Sequence, residues 1–213
     1  MSTISIYNCC KQPRRTKRKK TNNMNTIKIF KLFIIITMMA SCGNDDDQPT
    51  NPIDQLPAAT QTGERTAGAL VNGEALLPRG GGLTPNLTCF YQLLGGEYFF
   101  GLSFSNQNGE TLKSINLEVS FIQLSANQLF QLNKNFGDDG NFIGGGCIYG
   151  SSTSVLSGIT YYLTTSTITG ELSITHLDET NQIISGIFWF DAVNNDGEIV
   201  EVREGRFDMP YSN

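Results

Sequence analysis

Ile115-Asn116-Leu117-Glu118-Val119-Ser120-Phe121 alternates apolar and polar residues without a break. Successive side chains of an extended chain point to opposite faces, so Ile115, Leu117, Val119 and Phe121 share one face while Asn116, Glu118 and Ser120 share the other. One face then enters a core and the other meets water, the habit of antiparallel sheets. Outward from this segment, further strands are expected at Thr66–Val71, Glu74–Leu77, Leu87–Leu94, Tyr98–Ser105, Gln128–Leu132, Ile159–Thr164, Gly170–Leu177, Ile183–Val193 and Glu198–Asp208.

Tight turns fit between several of these. Asn72-Gly73, Gly95-Gly96, Asn108-Gly109 and Asp196-Gly197 supply residues that tolerate positive φ, as hairpins require. No segment has the periodicity of a long amphipathic helix, although Ser125–Leu132 admits one short turn. Nine or ten strands in one domain imply an all-β fold. We read it as an antiparallel two-layer β-sandwich, with a flattened β-barrel as the alternative.

Charge divides the 213-residue chain. Nine of its 15 Lys and Arg lie in residues 1–42, and all 20 Asp and Glu lie after Cys42. From residue 43 onward, six basic residues face 20 acidic ones, a formal charge of −14 that the whole-chain value of −5 conceals. Such a surface repels phosphate backbones, so nucleic acid is not an expected partner.

The apolar stretch Ile29–Ala40 is too short to span a hydrocarbon core of about 30 Å and carries Lys31, so it reads as the h-region of an export signal. Starting translation at Met24 makes that signal economical, with Lys28 and Lys31 as its charged part. It ends in Met39-Ala40-Ser41-Cys42, which resembles the lipobox of bacterial lipoproteins; the resemblance implies cleavage before Cys42 and a membrane anchor of acyl chains on that cysteine. Gly43-Asn44-Asp45-Asp46-Asp47 follows and resembles the surface-export signal of lipoproteins in the Bacteroidetes, which implies display on the outer membrane. Residues 1–41 are thus expected to be leader and signal peptide, 42–63 lipidated cysteine and tether, and 64–213 a single β domain.

Cys89 and Cys147 are the cysteines left for that domain, and an oxidising compartment favours a disulfide between them over two buried thiols. In the chain-entropy model such a bridge would contribute roughly 4 kcal/mol.

Residues that carry chemistry are sparse. His176, the one histidine, falls by alternation on the face of Leu172 and Ile174, where a structural role is expected; pairing it with Asp178 or Asp208 for a hydrolase lacks the nucleophile elbow such an enzyme needs. Asp138-Asp139-Gly140-Asn141 and Asn194-Asn195-Asp196-Gly197 read as turns rather than calcium loops, and one His with two separated Cys makes no zinc set. Gly80-Gly81-Gly82 and Gly144-Gly145-Gly146 lack the Lys-Ser or Lys-Thr of a phosphate loop and read as flexible loops. Neither a metal nor a cofactor is therefore expected. Among the aromatics, Trp189 must face away from Phe188 and Phe190, and one of Tyr161 and Tyr162 must face outward, which makes Tyr161, Tyr162 and Trp189 the candidate ligand contacts.

Gly170–Asp178, Ile184–Phe190 and Gly205–Asp208, with Leu56–Gly63 and Leu70–Glu74 at the other end, resemble a group of uncharacterised Bacteroidetes lipoproteins. Those proteins commonly carry a cysteine before the Val-Asn-Gly element, where this chain has Ala69 and Leu70, so their disulfide pattern does not transfer. The resemblance implies a β fold in the envelope and no functional residue. The reading is a non-catalytic binding or structural module, with glycan or envelope protein as partner, ahead of an extracytoplasmic hydrolase acting through acidic residues or His176.

Overall fold

The structure is a computed structural model that describes residues 51–80, 85–136, 142–154 and 157–213. The leader, Cys42, the acidic run after it, most of Gly80–Gly82 and Asp138–Asn141 lie outside the described residues. A single-turn 3-10 helix, Pro52–Gln55, precedes eleven strands: β1 Thr66–Val71, β2 Glu74–Leu76, β3 Leu87–Leu94, β4 Glu97–Asn108, β5 Thr111–Ser120, β6 Gln128–Lys134, β7 Gly144–Ser152, β8 Thr160–Leu163, β9 Gly170–Asp178, β10 Ile183–Val193 and β11 Ile199–Pro210.

The fold is all-β, as alternation requires. The strands form one sheet in the order β2-β1-β11-β10-β9-β6-β7-β5-β4-β3, with β8 bridging β10 and β7. That bridge closes β6, β7, β8, β10 and β9 into a five-stranded barrel. A wing extends from each side: β5-β4-β3 from β7, and β11-β1-β2 from β10. The wings meet across the core. Phe100 of β4 stacks on Phe207 of β11 with ring centroids 5.9 Å apart, and beyond β11 the backbone of Ser212 exchanges hydrogen bonds with Tyr91 and Cys89 of β3. Barrel closure and sandwich-like packing thus coexist in one sheet.

One hydrophobic cluster fills the interior. Ile115, Leu117 and Val119 of β5 are buried in it together with Phe100, Leu102 and Phe104 of β4 and Val202, Phe207 and Met209 of β11. Burial of each such side chain contributes about 1.5–3 kcal/mol. The hairpin turns are of the expected kind: Asn72 and Gly73 have φ of 48° and 83°, and Gly95 and Gly96 have 65° and 92°.

The opening run departs from alternation at its end: Ser120, expected outside, is fully buried, and Phe121, expected inside, lies beyond β5 at φ +62°. Four further expectations need correction. The segment read as a flexible glycine loop is β7, which pairs with β5, β6 and β8, and its partnership with β6 is parallel. Its glycines are required by close approach: a Cβ on Gly145 would lie 2.8 Å from the Leu132 side chain, and one on Gly146 only 2.6 Å from the carbonyl oxygen of Lys134. Secondly, residues 51–63 are packed rather than a spacer. Leu56 is buried, and Thr60 and the amides of Thr62 and Gly63 bond to Asp208 of β11, so the packed part of the chain starts well before Glu64.

Thirdly, Cys89 and Cys147 are both free and buried. They stand in one cross-strand row, Cys89 to Leu102 to Leu117 to Cys147. Three strand spacings of about 4.8 Å separate them by about 14 Å, twice the reach of a disulfide. Fourthly, His176 does not share the face of Leu172 and Ile174. Ser185 pairs with His176 and Gly186 with Ile174, so Thr175 is a bulge; it turns Leu177 toward the core and His176 away.

Candidate functional site

Alternation along β10 sends Phe188 and Phe190 into the core and leaves Ile187 and Trp189 outside, 48% and 37% exposed. Across the ladder, Ile187 pairs with Ser173 and Ser173 with Leu129; Trp189 pairs with Glu171 and Glu171 with Gln131. Leu129 is 57% exposed. Three large apolar side chains therefore share the outer face of β6, β9 and β10. They belong to a groove of about 530 Å³, within the common range for small-molecule sites of about 300–1,000 Å³.

The far wall comes from β11. Phe188 pairs with Gly205 but Phe190 with Val202, so Arg203 and Glu204 together stand opposite Trp189, a bulge with Glu204 at φ +54°. A non-glycine residue in that region costs on the order of 1–2 kcal/mol, and its effect here is to re-aim Arg203. The guanidinium carbon lies 5.4 Å from the Trp189 ring centroid, while Nη1 donates to the carbonyls of Phe190 (3.1 Å) and Val202 (2.9 Å). Nη2 pairs with Asp191 Oδ1 at 2.6 Å and Glu201 Oε2 at 3.7 Å. The Trp189 indole N–H donates to Glu171 Oε2 (3.3 Å), and Gln131 Nε2 donates to Glu171 Oε1 (3.0 Å). Arg206 pairs with Glu204 Oε2 at 3.1 Å. Trp189 is thus held by a cation on one side and a carboxylate at its edge.

Ala59, from the segment before β1, completes the rim. That segment is clamped by Asp208, a fully buried carboxylate on β11. Thr60 Oγ1 donates to it at 2.7 Å, the amides of Thr62, Gly63 and Glu64 at 2.9, 2.8 and 3.2 Å, and Ser185 Oγ at 2.8 Å. Burial alone would raise the carboxyl's pKa, but these bonds to the charged form outweigh it and hold Asp208 well below the usual carboxylate range.

Of the three expected ligand contacts, Trp189 alone lines this groove. Tyr161 is 51% exposed on β8, opposite Gly150 of β7. Tyr162 packs against Tyr149 with centroids 5.7 Å apart and donates to Glu198 Oε2 at 3.2 Å; burial first, and that acceptor second, raise its pKa. It braces the β10–β11 turn, where Asn194 Oδ1 accepts the amides of Asp196 and Glu198. The Cys89 and Cys147 thiols are pushed up by burial, which keeps them protonated and unreactive. Asp178 caps its own turn, accepting from the amides of Thr180 and Asn181. Among the described residues no group of three His, Cys, Asp or Glu is placed to hold a metal ion.

Sequence reasoning passed over Leu129, Ile187, Glu171, Arg203 and Arg206. Ile187 carried a usable signal, since it has the same parity as Trp189 on one strand. The position of Arg203 did not, because it depends on the bulge. No family model matches the chain, and comparison with curated proteins and with solved structures gave no match.

Proposed function

We propose that this protein is a lipid-anchored component of the bacterial envelope, displayed on the outer membrane, whose β domain is a non-catalytic binding module with the Trp189 groove as its ligand face. The observation that carries the reading is a tryptophan fixed by Arg203 and Glu171 yet left open to solvent beside Leu129 and Ile187. Exposed apolar side chains scattered singly mean little, whereas three in one groove rimmed by ordered polar groups form a site with a contact surface already in place. The anchor rests on the lipobox at Cys42.

Anything that binds only the folded state raises the melting temperature, by about 2.7 kcal/mol of stability at a hundredfold excess over Kd. A thermal-shift screen of residues Gly43–Asn213, which omit the anchor cysteine, against polysaccharide fragments, calcium and envelope extracts is expected to give a shift that Trp189→Ala removes. No shift across the set, or one indifferent to Trp189, refutes the groove. The anchor is tested apart from it: labelled palmitate is expected to enter the wild-type chain in cells and not Cys42→Ser.

A further inference from the structure

We infer that the groove takes an uncharged oligosaccharide, with sugar rings laid along the line from Leu129 to Ile187 and Trp189; this rests on reading the groove as the binding face. Charge compensation decides the ligand class. Every charged wall group already has an opposite charge or a hydrogen-bond donor within the protein. Arg203 is matched by Asp191 at 2.6 Å and Glu201 at 3.7 Å, Arg206 by Glu204 at 3.1 Å, and Glu171 accepts from Gln131 and Trp189.

An incoming carboxylate or sulfate would have to displace a protein carboxylate from its arginine, exchanging one ion pair for another at no gain. It would also approach a chain whose formal charge from residue 43 onward is −14. A cation meets the converse difficulty, because the groove's carboxylates are held by arginine or by amide and indole donors. Hydroxyl groups face no such contest. A guanidinium has five donors and a carboxylate about four acceptor positions, so sugar hydroxyls can use what the internal pairs leave over.

Shape agrees with charge. A pyranose has apolar C–H faces and a polar rim, and this groove has an apolar floor between ordered polar walls. Leu129 and Ile187 are two strands apart across Ser173, about 10 Å at the usual spacing, which is longer than one sugar ring and calls for an oligomer.

Trp189 is the only tryptophan in the chain, so its fluorescence reports this groove and nothing else. The same Gly43–Asn213 chain would be titrated with neutral hexasaccharides of xylose, mannose, and β- and α-linked glucose, and with anionic hexagalacturonate and chondroitin sulfate hexasaccharide. The expected result is a saturable change with at least one neutral sugar, insensitive to salt. Leu129→Glu, which keeps the reporter and alters only an exposed position, should weaken it about tenfold or more; an unchanged melting temperature shows that this variant is folded. Saturation by an anionic sugar alone overturns the uncharged class while leaving the binding module in place. Silence toward every sugar, with a thermal shift from envelope extract that needs Trp189, also overturns it and points to a protein ligand. Silence in both assays overturns this inference and the binding module together.

Discussion

The wing β3-β4-β5 and the barrel β6-β7-β8-β10-β9 are built from the same chain by different rules. In the wing, neighbouring strands follow one another in sequence, pair antiparallel without a register break, and bury every second residue through Leu87–Tyr91, Phe100–Phe104 and Ile115–Val119. In the barrel, β6 and β7 run parallel, register shifts interrupt β6–β7 and β9–β10, and one strand begins with three glycines. The wing is specified by which side chains are present, and the barrel by how little side chain is present where backbones must meet. Damage should therefore take different forms in the two regions.

The largest expected effect is on the barrel glycines. In Gly146→Ala the new methyl meets the fixed carbonyl of Lys134, which cannot move without parting β6 from β7. We expect a loss on the order of 3 kcal/mol. Gly101→Ala on β4 is the matched probe in the wing. Its Cβ would also collide, with the Phe90 ring, but that ring is only half-buried and can turn aside. Its cost should stay below about 1 kcal/mol, since alanine also recovers part of the entropy that glycine loses in a strand. Urea denaturation of both variants checks this, and equal losses would dissolve the distinction.

Next in size is the clamp at Asp208, which ties the segment before β1 to two strands. Asp208→Asn keeps the size but removes the charge that five donors address. The expected loss at neutral pH is about 2–3 kcal/mol. The sign of its pH dependence follows from the depressed pKa. The contribution is fully present above the ordinary aspartate value of about 3.9, and it declines as pH falls from there toward the folded-state value. The gap between wild type and variant should accordingly be constant from pH 7 to about 5 and narrow below about 4. A gap that widens in acid would mean that the carboxyl is not ionised in the fold.

The same contrast explains how much was legible in advance. β1, β3 and β10 match their expected limits, because alternation over six to eleven residues leaves little choice of face. Turn chemistry located the hairpins for the same reason, through residues that accept positive φ. β7 was missed because glycine has no hydropathy to alternate, so a strand chosen for backbone contact looks like a loop. The groove was half legible. Parity put Trp189 outside, but a bulge inserts one residue and resets parity beyond it, so Arg203 and His176 could not be placed from their neighbours.

A smaller test compares two buried or half-buried hydroxyls. Thr164 Oγ1 lies at the junction of three barrel strands, donating to the Lys134 carbonyl at 2.6 Å and accepting the Cys147 amide at 2.9 Å. Ser103 in the wing makes one bond, to Asn116 Oδ1 at 2.7 Å on the outer face. Thr164→Val strands two buried backbone groups and should cost about 2 kcal/mol, whereas Ser103→Ala leaves an amide that water can reach and should cost less than about 1 kcal/mol.

The smallest expected effect is none, and it concerns the two cysteines, one in each region. Cys89 sits in the wing and Cys147 in the barrel, three strands apart in one buried row, so no bridge links the regions. Reductant should leave the melting temperature unchanged, and a chain of residues Gly43–Asn213, unfolded without reductant, should titrate two thiols. A bridge would require β3 and β7 to be brought together past β4 and β5, which dismantles the wing. A measured disulfide would therefore overturn the strand order itself and not merely one pairing.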